Sequence, residues 1–572
     1  AMAFTMMATA GAAYTDQADI QATEAVDTLT ALSVMAGDPD GSFRPNDTIT
    51  RAEACRMIYT IRSGGNDDAS AYAGMQTTFT DVPNDAWYAG YVKHCQSVGI
   101  VSGKSSTIFD PNANVTGVEL ALMCLRVMGY DPAKANIGGS TWSTTTIGLA
   151  TEAGLLEDFN ATVTNDCPRQ YAAQLMYNML NADTVRWSDD AGDYVKDEQR
   201  ISGTTLTEYI TVGEKYMSLI KVTGTLQASG KVGLDGAGSE EALVLDPNSL
   251  SSADKAAGKE TSFDDVTTDY SDMIGQTVQV LYKEKNSDTT VYGVFATDDN
   301  KVNISTTANN LESQSGEDKI KVDGTKYTVD YQGSYMPIYT VAASGTGASI
   351  TEDKSVTNAS TLETKINDLD NNGVDVQVIS NDGDSKIDMI IVFDKTFAKL
   401  TATNSSSVTY RTVKTDMSGD TTTTGDKLDL EDDAPVLYDG YAKDDYVFVS
   451  ADLYNDAVVV EKAETVTGTA SATKEDSISI GGTWYDYYDT GANGFNAKAG
   501  NDYTAYVLNG FAYYVEGAAA TDVDTLLVKS IGDYNKINEG VEAKVLFEDG
   551  TEKVINVERL VVPSAGFDQD KF

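Results

Sequence analysis

Two hydrophobic rhythms divide this chain. Up to about residue 190, apolar residues recur at helical spacing: Val26, Leu29 and Leu32, then Ala54, Cys55, Ile58 and Ile61, then Leu120, Cys124 and Val127. A period of three to four places such residues on one face of a helix. From about Val222 the period shortens to two, as in "TVQVLY" (277–282), "VDVQV" (374–378), "YVFVS" (446–450) and "VEAKVLF" (541–547). That alternation predicts half-buried strands. Asp323-Gly324, Asn509-Gly510 and Asp549-Gly550 lie in or beside such runs and suit the positive-φ pair of a two-residue hairpin turn. The pattern predicts a multidomain chain, with an N-terminal α-helical bundle followed by serial antiparallel β modules, sandwiches or partly closed barrels.

The helical part repeats itself. A slide of 66 residues carries Val34-Met35-x-Gly37 onto Ile100-Val101-x-Gly103, Phe43-x-Pro45 onto Phe109-x-Pro111, Ile49-Thr50 onto Val115-Thr116, and Glu53 onto Glu119. A weaker third copy aligns Trp142 and Gly154-Leu155-Leu156 with Trp87 and Gly99-Ile100-Val101, and sets Cys167-Pro168-Arg169-Gln170 where Val115-Thr116 opened a helix. Repetition at this period means that one supersecondary unit has been copied. In each copy a first helix leads into a turn, of which Asp38-Pro39-Asp40-Gly41 has the strongest chemistry. Phe43 and Ile49 are expected to plug the core beneath that loop. Thr50 is placed as an N-cap with Glu53 as its capping-box partner, and Thr116 with Glu119 repeats the arrangement. The β part holds a repeat of its own. Val222-Thr223-Gly224-Thr225 and Val466-Thr467-Gly468-Thr469 open similar segments, each followed by a strand pair starting at Gly275 or Gly500.

Composition narrows the chemistry. The 572 residues carry 87 Asp and Glu against 41 Lys and Arg, a formal net charge of −46. Nucleic acid needs a basic surface, so it is excluded as a partner. There is one histidine, His94, and there are four cysteines, Cys55, Cys95, Cys124 and Cys167. A Ser-His-Asp or Cys-His centre would have to use His94, and no His/Cys cluster has zinc spacing. Cys55 and Cys124 fall on apolar helical stripes, and the thiols read as buried; an exported chain also admits disulfides, with three connectivities for four cysteines. "AMAFTMMATAGA" is small and apolar and resembles the back half of a signal peptide, with Ala10-Gly11-Ala12 as its cleavage site. No later run reaches the ~18 apolar residues of a membrane span.

The segments "FTDVPNDAWYAGYVKHCQSVGI", "GSFRPNDTITRAEACRMI" and "IFDPNANVTGVELALMCL" resemble S-layer homology domains, with the likeness running over roughly residues 14–190. The resemblance implies a pseudo-threefold bundle of three repeats. It implies docking on secondary cell-wall polysaccharide or peptidoglycan-linked glycan in grooves between neighbouring repeats. Arg51 would then meet an anionic sugar substituent, since a guanidinium fork suits a carboxylate. Trp87 would offer a flat face to a sugar ring with Asp81 near the same helix start, and Trp142 and Arg169 would take part from the third copy. Copy two has Gly117 in place of the arginine, and copy one has Gln21 in place of the tryptophan. One or two working grooves, around Arg51 and Arg169, are therefore expected. From the residues alone, Arg51 is equally an exposed first-turn residue without a ligand.

The expected division is 1–12 signal-peptide remnant; 13–72, 73–133 and 134–190 repeats; 191–221 linker or capping segment; then β modules at 222–300, 301–400, 401–465 and 466–536, and a short or partial one at 537–572. Asp368-x-Asp370-x-Asn372-Gly373 begins like a calcium loop but has Ile379 at the twelfth position, so an EF-hand is rejected. Asp382, Asp384 and Asp388 in "SNDGDSKID" form either a weak calcium site, with Ca2+ the one cofactor admitted, or a solvated hairpin tip. Trp484, Tyr485, Tyr487 and Tyr488 form either a sugar-binding strip or an ordinary core-filling strand. The functional expectation is a secreted cell-surface structural protein, anchored non-covalently through its repeats and self-associating into an S-layer lattice or filament. The alternative is an anchored surface enzyme or carbohydrate-binding protein acting on polysaccharide.

Overall fold

The computed structural model describes residues 14–369, 372–414, 422, 424–488, 497–517, 526–535, 540–547 and 552–557. The signal-peptide remnant, Asp370 and Asp549-Gly550 lie outside the described residues. The N-terminal part is built from helix pairs in sequence: α1 (Thr23–Ala31) and α2 (Arg51–Arg62), α3 (Ala89–Ser97) and α4 (Gly117–Met128), α5 (Trp142–Glu152) and α6 (Arg169–Asn181). Packing runs across the pairs. α2 lies on α3, α4 on α5, and α6 returns to α1, which closes a ring. The stripes read from the sequence face inward: Leu29, Ile58, Ile61, Leu120 and Cys124 are fully buried. Phe43 and Ile49 lie under the first loop, and Phe109 and Val115 under the second, all at most 1 % exposed. Each such side chain stabilises the ring by ~1.5–3 kcal/mol through removal from water.

Cys55, Cys95, Cys124 and Cys167 are all buried and all free, so none forms a disulfide. Burial, followed by contact with Cys95, pushes the Cys55 thiol upward, and burial raises Cys167 to about 12. These are packing residues held as neutral thiols.

After α6 the chain forms strand pairs Val185–Ser188 with Asp193–Lys196, and Glu198–Arg200 with Thr207–Tyr209. A short helix α7 (Val212–Met217) then packs against α2 and α6. The polar stretch 191–221 is thus ordered structure lying against the ring.

Beyond it the strands form successive sheets. In the first, the order is Ser262–Phe263, Leu243–Leu245, Ile220–Ser229, Thr277–Lys285, Asp288–Ala296. Tyr177 of α6 meets Phe295 edge-on at 5.7 Å, and Leu281 joins the helical core. The next two large sheets span 302–393 and 396–462, with a small one at 311–328. Glu464–Thr473, Ser477–Ile480, Thr483–Tyr487, Phe511–Gly517 and Asp502–Leu508 close into a barrel in that order. The residues fall into two compact units, Ala1–Thr412 with Thr422–Lys462, and Val413–Thr421 with Ala463–Phe572.

Antiparallel pairing dominates, with exceptions. Ile338–Ser344 pairs in parallel with Met389–Phe393. Between them the chain passes through the helix Ala359–Leu369, the crossover that parallel neighbours need. Parallel contacts also join Val436–Leu437 to Ala457–Lys462, and Thr483–Tyr487 to Phe511–Gly517. Asp323 and Gly324 have φ 48° and 79°, and Asn509 and Gly510 have 45° and 92°, as their hairpin turns require.

The internal β repeat extends to register. Gly224 pairs with Val278 and Gly468 with Tyr503, each in a ladder of six. Both long strands carry a bulge two residues on, at Leu226/Ala228 and at Ala470/Ala472. The same backbone bonds close them: Gly275 N to Leu226 O, and Gly500 N to Ala470 O, both 2.8 Å.

Candidate functional site

The second helices of the three pairs start at one place. The residues ahead of α2, α4 and α6 exchange main-chain hydrogen bonds in a closed cycle. Ile49 N donates to Cys167 O (3.3 Å), Cys167 N to Val115 O (2.9 Å), and Val115 N to Ile49 O (3.0 Å). A second set repeats around the cycle. Arg51 and Ala52 donate to Ala113 and Pro111 carbonyls, Gly117 and Val118 to Asn165 and Val163, and Arg169 and Gln170 to Asp47 and Pro45. The orphan amides at each helix start are thereby satisfied by a loop of a neighbouring pair. Side chains complete two of the starts. Thr50 accepts from Glu53 N and Glu53 accepts from Thr50 N at 2.7 Å. Thr116 and Glu119 do the same at 3.3 and 3.1 Å. At α6, Pro168 is the cap and has no side chain to offer.

Position one of each helix therefore points at a neighbour's loop. Arg51 Nε donates to Phe109 O (3.0 Å) and Nη2 to Ser102 O (2.9 Å), with the guanidinium 4.6 Å from the Phe109 ring centre. Arg169 does the same one step around the ring. Its Nε donates to Phe43 O (3.0 Å), Nη2 donates to Ala36 O (3.0 Å), and the Phe43 ring lies at 5.0 Å. The third seat holds Gly117. A Cβ there would stand 2.8 Å from Val163 O and 2.9 Å from the Phe159 ring, so an arginine has no room. Phe159, packed on Tyr171 at 5.5 Å, fills the space.

The two guanidinium seats differ in charge. Arg51 is only 6 % exposed and lies 3.5 Å from Glu119, which also binds Lys104. Burial alone would raise the Glu119 carboxyl, but Lys104, the Thr116 amide and Arg51 together hold it below its ordinary value. Arg51 is thus neither the exposed residue nor the open cation that the sequence allowed. Arg169 is half-buried and donates to carbonyls, with no carboxylate partner among the described residues.

Asp81 accepts the amides of Phe109 (3.0 Å) and Asp110 (2.7 Å), which clamps the second loop. Asp16 clamps the first through Phe43 and Arg44. Trp87 is 56 % exposed just before α3 and leans on Tyr88 and Tyr91, ring centres 5.6 and 6.3 Å away. Trp142 is the first residue of α5 and half-buried. The residue pattern had not singled out Lys104, which falls on Asp38 in the 66-residue slide and so reverses its charge. The two phenylalanine seats were visible in that slide, but only as core plugs.

Elsewhere, His94 stands edge-on to Tyr59 and Tyr72 (5.0 and 4.7 Å), and neither ring nitrogen has a hydrogen-bond partner, so no nucleophile–base couple uses it. Trp484 is 41 % exposed whereas Tyr487 is buried, so these aromatics alternate across a strand. Asp382 and Asp388 come together with Asp330, while Asp384 binds Lys386 at 2.8 Å. No helix among the described residues is long and apolar enough to cross a membrane.

A ring of copied helix starts with two guanidinium seats defines a helical repeat module. Consistent with that class, the S-layer homology domain family matches residues 13–55 and 78–121. The chain is 27 % identical over 390 residues to a surface layer protein of Brevibacillus choshinensis, covering 65 % of this chain and 33 % of that protein. It is 28 % identical over 288 residues to a middle cell wall protein of Brevibacillus brevis, covering 49 % and 26 %. It is 26 % identical over 181 residues to exoglucanase XynX of Acetivibrio thermocellus, covering 29 % and 16 %. The chain thus spans about a quarter to a third of the length of the two surface-protein relatives. It carries S-layer homology domains and is a secreted cell-surface protein.

Proposed function

We propose that residues 13–72, 73–133 and 134–190 are three S-layer homology repeats that hold the protein non-covalently on an anionic cell-wall polysaccharide. The β modules then project from the wall and self-associate into a surface layer or fibre. The observation that carries this reading is the pair of equivalent guanidinium seats at Arg51 and Arg169, each formed where one helix start meets a neighbour's loop. Arg169 is the primary contact for a sugar carboxylate because no carboxylate among the described residues pairs with it. Arg51 and Lys104 serve a second groove in which the incoming anion exchanges with Glu119. Trp87 and Trp142 offer ring faces for stacking, and Asp81 holds a groove wall in shape. The Brevibacillus surface-protein relatives support the layer-forming role of the β region.

The test is co-sedimentation of the full chain with purified cell-wall sacculi. Arg169→Ala is expected to weaken binding at least tenfold, about 1.4 kcal/mol or more. Arg51→Ala and Trp87→Ala should each weaken it by a smaller factor. Undiminished binding by Arg169→Ala together with Arg51→Ala would refute the groove assignment. Measurable glycan hydrolysis by the full chain would instead favour an anchored enzyme.

A further inference from the structure

A separate cluster of charge lies in the sheet that spans 302–393. Strands Asp375–Ser380 and Met389–Phe393 form a hairpin whose connection is 381–388. Main-chain bonds draw that connection down. Gly383 N donates to Asp299 O (3.0 Å), Ile387 N to Thr328 O (2.8 Å), and Asp388 N to Ile379 O (2.8 Å). Asp330 N donates to Ile387 O (2.8 Å), which brings in the segment that follows the strand Thr325–Thr328. One carboxylate oxygen each from Asp330, Asp382 and Asp388 then lies within 4.8 Å of the other two.

Asp388 makes this more than an acidic surface. It is fully buried, at 0 % exposure. Its Oδ2 accepts the Asn381 amide at 2.8 Å and the Gln332 side chain lies beside the carboxylate, but its Oδ1 has no partner in hydrogen-bond geometry. A buried, half-satisfied carboxylate is costly unless a cation completes it. Lys386 does not: its Nζ binds Asp330 (3.2 Å) and Asp384 (2.8 Å) and forms no ion pair with Asp388 among the described residues. One oxygen from each carboxylate lies within 4.8 Å of the others, close enough for a shared ion with calcium–oxygen bonds of about 2.3–2.6 Å after small side-chain adjustments. An all-oxygen set selects a hard cation, and calcium, with its flexible geometry, accepts such a carboxylate cluster more readily than magnesium, which dehydrates reluctantly.

We propose that Asp330, Asp382 and Asp388 form a calcium site that fastens the 381–388 connection to the segment following Thr325–Thr328. Carbonyl oxygens and waters complete the coordination. Asp384 lies outside the ligand set and holds Lys386 beside it. The site is independent of the wall-binding grooves, so its failure would leave that reading intact.

The test uses the full chain stripped with chelator, in about 150 mM KCl so that diffuse binding to the acidic surface is screened. Hydrogen exchange is followed by segment while calcium chloride is added. Residues 328–332 and 380–390 should gain protection, with a midpoint of about 10⁻⁴ to 10⁻³ M, the range of extracellular calcium modules. Asp382→Asn should shift that midpoint at least tenfold upward. Asp388→Asn should abolish the response while melting no lower than the parent in chelator, because it removes a buried unpaired charge. Unchanged exchange in these segments at about 10 mM calcium, or full protection in both variants, would overturn the proposal.

Discussion

Single residues decide which helix starts can meet an anion. Gly117 shows the logic by exclusion, since even a methyl group there collides with Val163 O and the Phe159 ring. Gly117→Ala should cost about 1–3 kcal/mol through overpacking, read as an earlier helical unfolding transition by circular dichroism. Asp81 is a clamp, and Asp81→Ala leaves two amides without their acceptor, at about 1–2 kcal/mol. On this view its loss weakens wall binding only through the loop it holds. Asp27, half-buried on α1, carries a charge that its surroundings oppose: burial raises its carboxyl to about 6. A folded-state value above the unfolded one means that ionisation opposes folding. Its stabilising contribution is complete below about pH 4 and is lost as pH rises through 6. After discounting for solvent screening, the loss is about 1–2 kcal/mol. Melting temperature should therefore fall between pH 4 and 7, and Asp27→Asn should flatten that slope.

At the scale of elements, two capping boxes start α2 and α4, and both follow from the spacing of Thr and Glu. Thr50→Ala and Thr116→Ala should each destabilise by about 1 kcal/mol. Glu119 does more than cap, because it also neutralises Lys104 and Arg51. Glu119→Gln keeps a capping side chain but frees Arg51, so sacculus binding should strengthen while the melting temperature falls, because the buried Arg51 loses its counter-charge. α6 has no such box, and its start is held by main-chain bonds from Arg169 and Gln170 to Asp47 and Pro45. That is why its kinship with α2 and α4 is faint in sequence. In the β region, period-two alternation located strands and two hairpin turns, yet it carries no information on pairing. The parallel contacts arose where the chain crossed over before returning to the sheet.

For the ring as a whole, the cycle through Ile49, Val115 and Cys167 joins residues more than fifty positions apart. The four thiols all lie in its common hydrophobic core. They should resist an aqueous thiol reagent in the native protein and become reactive together as the ring unfolds. Stepwise release, one thiol at a time, would show that the pairs open independently.

Local pattern alone determined the elements and the copying: where helices and strands run, which stripes turn inward, which threonines cap, and that a unit recurs. Those features depend on neighbours within a few residues or on self-comparison of the chain. Only the tertiary structure decided that Arg51 faces a carboxylate while Arg169 is held by carbonyls, that Phe159 closes the third seat, and that Asp330 rather than Asp384 joins Asp382 and Asp388. Each depends on which distant groups share a small volume, and there burial and charge neutralisation act through space, with no period along the chain to announce them.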